Sequence, residues 1–207
     1  MMLVNKLPRR RPIALAALMG MLLFSVGSAT AQETVGGIFA KANEVAQSRC
    51  VKIFGASIGR VEGYGTGIIV SDEGHSLTTS GVMLSARNIC VVTPDGKTHI
   101  AKVERRSNDI QTALLKIDAA TPDHFTLPEA LPVDKGDWVL AVSNLFKVAD
   151  GREPLSVNLG VISLRTSVDT KRGTQSIPFK GEVLLIDAIT SNPGAGGGAV
   201  VDVEGRL

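Results

Sequence analysis

The sequence predicts an all-β protein built as two antiparallel barrels, preceded by one short helix. Two observations lead to that class. From Val51 onward the chain is a succession of short apolar runs separated by Gly, Asp-Gly and Asn turns, the texture of paired strands rather than of helices. A proline-bearing connection, with Pro122, Pro128 and Pro132, then splits these runs into two groups.

The first residues stand apart from that pattern. Lys6, Arg9, Arg10 and Arg11 form a positive leader, Pro12 to Ser28 is apolar, and Ala29-Thr30-Ala31 is a small-x-small exit. This is the form of a signal peptide over residues 1–31, cleaved after Ala31, and it implies export to a periplasmic or extracellular compartment. The apolar run is short for an uncleaved membrane anchor. Removing the four basic residues takes the formal net charge from +2 to −2. The remaining charges are mixed, with no basic stripe or aromatic platform, so a nucleic-acid partner is not expected.

Within residues 32–50, Val35, Ile38, Phe39, Ala42, Val45 and Ala46 recur at helical spacing and predict a helix from about Thr34 to Ser48. Residues 51–121 form the expected first barrel. Its strands are Val51–Phe54, Gly67–Val70, Ser76–Thr79, Ile89–Val92, Thr98–Val103 and Ala113–Ile117, with a turn region expected over Gly55–Gly63 and a hairpin at Pro94-Asp95-Gly96. Residues 122–135 read as the linker. Residues 136–207 carry strands at Trp138–Val142, Ser156–Leu159 with Gly160–Ser163, Val183–Ile186 and Val200–Val203. The second barrel is expected to be incomplete, because Glu204-Gly205 is a turn that leads into too few residues to close it.

Chemistry concentrates in one loop. Ser191-Asn192-Pro193-Gly194-Ala195-Gly196-Gly197-Gly198-Ala199 lies between two strand-like runs, and such a glycine cluster brings backbone close to a ligand, a phosphate or an oxyanion. Gly194-x-Gly196-x-x-Ala199 superficially fits a dinucleotide fingerprint, but β-branched residues follow where that motif needs a helix. No phosphate-loop Gly-Lys-Ser/Thr is present, so neither a nucleotide nor any other cofactor is expected. The three histidines and two cysteines supply no metal-ligand spacing. Cys50 and Cys90, the two cysteines, are candidates for one disulfide in an exported chain.

Six motifs in order then carry a family resemblance. They are Gly65-Thr66-Gly67-Ile68-Ile69-Val70, Leu77-Thr78-Thr79-Ser80-Gly81-Val82, Asp95-Gly96-Lys97, Gln111-Thr112-Ala113-Leu114-Leu115-Lys116, the run from Gly136 to Phe146, and Asn192 to Ala199. Together they resemble the trypsin-like serine protease domain of the bacterial HtrA/Deg type, from the helix before Val51 to Leu207. The resemblance implies two six-stranded antiparallel barrels with a cleft between them. It places the family's general base at Gly81, its orienting aspartate at Gln111 and its nucleophile at Gly196. None of these residues can accept a proton, stabilise an imidazolium as a carboxylate does, or attack a carbonyl. The backbone amides of Gly194 and Gly196 would still form an oxyanion-hole-like pocket.

Relocated catalytic groups are the competing reading: His75 for the base, Asp109 for the aspartate, Ser191 for the nucleophile. Each is displaced by two to six residues, beyond hydrogen-bond reach along extended chain. His99, His124 and Asp187 read as structural or solvated residues. The expectation is a pseudoprotease that holds a polypeptide segment in its cleft or acts as a scaffold. An endopeptidase with non-standard residues and a structural module of a longer envelope protein are the alternatives.

Overall fold

The structure is a computed structural model that describes residues 35–58, 61–127, 133–171 and 178–207. The expected leader over residues 1–31 lies outside the described residues, as does part of the linker. Helix α1 (Val35–Ser48) is followed by β1 (Cys50–Ile58), β2 (Val61–Ile69), β3 (His75–Thr79), β4 (Ile89–Val92), β5 (Thr98–Ser107) and β6 (Thr112–Lys116). After the linker come β7 (Trp138–Ser143), β8 (Ser156–Lys171), β9 (Pro178–Ile186) and β10 (Ala199–Val201).

The first six strands close into a barrel in the order β1-β2-β3-β6-β5-β4, and every pairing is antiparallel. Its interior follows from strand alternation: Val51, Ile53, Val91, Leu115 and Ile117 are at most 1% exposed. The other four strands form an open sheet, β10-β7-β8-β9. On it Leu159, Leu164 and Leu185 stay about half exposed.

The structure revises two sequence expectations. The strands run further into Gly55–Gly63 than expected: Gly55 pairs with Gly63 and Phe54 with Tyr64 as β1 and β2 continue. The glycines there make room for Met83, from a single 3₁₀ turn (Val82–Ser85). A Cβ at Gly55 would strike the Met83 carbonyl, and one at Gly65 would lie 2.8 Å from its methyl carbon. The linker is also more than a connection, since Phe125 is 1% exposed and its N–H donates to the Ile69 carbonyl at 2.9 Å. Phe125 joins Ala42 and Ala46 of α1 with Leu140, Val142, Ala199 and Val201 in one core, so the helix and linker seal the open sheet on that side.

Candidate functional site

The glycine loop is fastened by one buried threonine. Thr66, fully buried on β2, donates from Oγ1 to the Gly194 carbonyl at 2.8 Å, and its own N–H donates to the Gly196 carbonyl at 3.2 Å. The same Oγ1 accepts the Asn144 N–H at 2.8 Å, while Thr78 Oγ1 donates to the Thr66 carbonyl at 2.6 Å. Asn144 is fully buried and closes a two-way ring with Ala149: Nδ2 to its carbonyl at 2.7 Å, and the Ala149 N–H to Oδ1 at 3.1 Å. A strand of the closed barrel, the end of β7 and the glycine loop are thus held by hydrogen bonds that water cannot replace.

Glycine is required at two points of this loop. Gly194 has φ +90° and Gly197 φ +83°, a region side chains rarely enter. A Cβ at Gly194 would also run into the Asn144 carbonyl and the Tyr64 ring, and one at Gly197 into the Thr66 carbonyl and the Thr78 hydroxyl. The Phe146 N–H donates to the Pro193 carbonyl at 2.9 Å. Across a trans peptide the Gly194 N–H points the opposite way. Among the described residues none accepts a hydrogen bond from the amide of Gly194 or of Gly196. Unpaired amides two residues apart on a restrained loop are the donors an oxyanion or a peptide carbonyl needs.

The three positions singled out by the sequence are linked through the end of β3 and the two residues that follow it. β3 alternates so that Thr78 is buried and Thr79 exposed, and Thr79 Oγ1 lies 3.0 Å from where a Cβ at Gly196 would stand. The next residue, Ser80, donates its N–H to the Gln111 carbonyl at 2.7 Å. Gly81 follows in extended backbone, φ −139° and ψ 177°, with nothing within 4 Å of a Cβ built there. Gln111 itself holds φ +51°, a left-handed conformation that costs a residue with a Cβ about 1 kcal/mol. A short stretch, Thr79-Ser80-Gly81, therefore touches both other positions. None of the three offers a base, an acid or a nucleophile.

The relocated candidates lie elsewhere or are otherwise occupied. His75 begins β3, four residues and about 13 Å of strand from Thr79. There its Nδ1 meets Ser71 Oγ at 2.7 Å and its Nε2 meets Glu104 Oε2 at 3.3 Å. Asp109 is exposed in the turn before Gln111, and Ser191 is exposed five residues ahead of Gly196. His99 faces Thr93, and the His124 ring meets the Pro122 carbonyl at 3.0 Å. Asp187 donates its backbone N–H to Val161 at 2.9 Å, a structural contact.

The considered Cys50–Cys90 disulfide is not formed, and both thiols are free. Cys90 pairs with Phe54 across β1, and Cys50 stands four residues further along, about 13 Å away and beyond disulfide reach. Burial pushes the Cys50 thiol up to about 12. Among the described residues no group of three metal-ligating side chains occurs. Sequence reasoning missed Thr66, Asn144 and Thr79 as site residues. Only strand alternation hinted at Thr66, by placing a hydroxyl where an apolar residue would otherwise face inward.

Comparison with known proteins agrees with this fold. The family model described as the trypsin-like peptidase domain matches residues 65–207. A probable periplasmic serine endoprotease, DegP-like, of Chlamydia trachomatis is 29% identical over 143 residues, which cover 69% of this chain and 27% of that protein. Among solved structures, the HtrA-type protease AlgW with tripeptide superposes with a TM-score of 0.68 at 29% identity, covering 82% of this chain and 52% of the other. The serine endoprotease from Yersinia pestis gives 0.65 at 28% identity, covering 82% and 55%. The chain spans about a quarter of the length of the curated relatives it matches. With its closed six-stranded barrel, open second sheet and glycine loop between them, the chain belongs to the trypsin-like peptidase domain family.

Proposed function

We propose that this domain is an exported pseudoprotease: a trypsin-like frame that holds an extended polypeptide without cutting it. The observation that carries the reading is that Gly81, Gln111 and Gly196, which the order of the motifs puts at the family's three catalytic positions, hold no group able to move a proton or attack a carbonyl. Peptide hydrolysis by this family's chemistry needs all three roles filled. Holding a peptide does not, because main-chain hydrogen bonds suffice for an added strand. The unpaired amides of Gly194 and Gly196 are the donors such a segment would use. Export rests on the leader that ends at Ala31 and on relatives named as periplasmic endoproteases.

The test measures binding and cleavage on the same protein. Unfolded, carboxymethylated casein bound by the full-length chain, and recovered intact after prolonged incubation, is the expected result. Casein fragments that disappear when Ser191 is changed to Ala would overturn the reading in favour of an endopeptidase with non-standard residues. Absence of any casein binding would leave a structural module instead.

A further inference from the structure

A second place in the molecule holds a charge that the cleft does not explain. Between α1, the start of β1 and the loop at residues 150–155 lies a cavity of about 460 Å³, whose wall includes Glu44, Gln47, Lys52, Arg152 and Glu153. Lys52 is only 4% exposed. Its ammonium donates to the Gly151 carbonyl at 2.7 Å. An ammonium has three N–H donors, and among the described residues no carboxylate forms an ion pair with this one. A buried charge with donors to spare is costly unless an acceptor completes it.

The charged neighbours narrow what that acceptor is. Glu153 Oε2 is committed to the amides of its own loop, accepting from Gly151 at 2.7 Å and from Asp150 at 3.3 Å. Glu44 is exposed on the cavity wall, and Arg152 Nε donates to the Asp95 carbonyl at 2.9 Å. Asp150 and Glu153 favour the Lys52 charge from a distance, but burial outweighs them and holds its pKa below the ordinary value. On the wall Lys52 and Arg152 stand against Glu44 and Glu153, a balance that disfavours a dianion and leaves Lys52 to meet a single negative charge.

We propose that this cavity is a binding site for a small monocarboxylate, whose oxygens accept hydrogen bonds from Lys52 Nζ. The proposal stands apart from the reading of the cleft. The loop that lines the cavity runs back through Ala149 to the Asn144 ring and so to the Thr66–Gly194 bond. A ligand that accepts from Lys52, whose ammonium also holds the Gly151 carbonyl, therefore bears on the same segment that restrains the glycine loop.

The experiment titrates the full-length chain with sodium acetate against sodium chloride at equal ionic strength, following the Lys52 side-chain methylene resonances by NMR. The expected result is a saturable shift with acetate alone, and a Lys52 pKa that rises as acetate binds, because the anion favours the ammonium. In K52M, which removes a buried charge and keeps the aliphatic stem, acetate affinity falls about tenfold or more, with acetate-dependent thermal stabilisation as the readout. Identical responses to acetate and chloride in the unaltered protein would overturn the proposal, and so would unchanged acetate affinity in K52M. The resonances of Lys52 itself decide the matter even where the variant folds poorly.

Discussion

Replacing Thr66 by Val tests how the glycine loop is held. The two side chains have nearly the same shape, so the substitution leaves no cavity and removes only the hydroxyl. That hydroxyl is fully buried, donates to the Gly194 carbonyl and accepts from the Asn144 N–H, both at 2.8 Å. Its loss strands one backbone acceptor and one backbone donor, each costing about 1–3 kcal/mol when unsatisfied. The Thr78 bond to the Thr66 carbonyl and the Thr66 N–H bond to Gly196 are untouched. We therefore expect T66V to lose about 3 kcal/mol in urea unfolding and about 6–12 °C in melting temperature. Hydrogen exchange should quicken most at Asn144 and at the neighbouring loop amides. A loss below about 0.5 kcal/mol, the range of an ordinary surface change, or unchanged exchange at Asn144, would refute the fastening role.

Three further outcomes follow from the same structure. In the folded protein, iodoacetamide should modify half-buried Cys90 and spare Cys50, which reacts only after unfolding because it is buried and its thiol is raised to about 12. Mass spectrometry without reductant should find both cysteines free, and an intramolecular disulfide in the native protein would contradict the register of β1 and β4. Lys52 has its pKa lowered by burial, so its charged form burdens the fold below the folded pKa, and the burden lifts as pH rises toward the ordinary 10.5. The stability of the unaltered chain relative to K52M should accordingly increase from neutral pH to about pH 10. A fall over that window in urea midpoints would reverse the sign. Gly197→Ala, at φ +83° and against the Thr66 carbonyl, should cost more than about 2 kcal/mol of unfolding free energy, whereas Gly81→Ala, with open space around it, should cost little.

How far the sequence reached depended on what each residue signals locally. The apolar runs at Ile89–Val92, Ala113–Ile117 and Trp138–Val142 are strands in the structure because alternation and turn punctuation are read over a few residues. Gly55 and Gly63 misled for the same reason: glycine there answers to Met83, some twenty to thirty residues on, and not to a turn. Phe125 looked like linker because prolines surround it, yet its ring completes a core assembled from α1, β7 and β10. Cysteine count alone gave no way to see that Cys50 and Cys90 sit four residues out of register. At the site, Gly81, Gln111 and Gly196 were legible only through the order of the motifs. Thr66 and Asn144 were not, because their partners lie far along the chain or in a loop of undetermined path.

The central claim, that the glycine loop is kept and the catalytic chemistry is absent, is tested most directly with an active-site-directed fluorophosphonate. The full-length chain should remain unlabelled, and the triple variant G81H/Q111D/G196S should label at position 196. Position 81 has room for the imidazole, and the left-handed backbone at position 111 suits Asp better than Gln. Stoichiometric labelling of a serine in the unaltered chain, blocked when casein is present, would contradict the account.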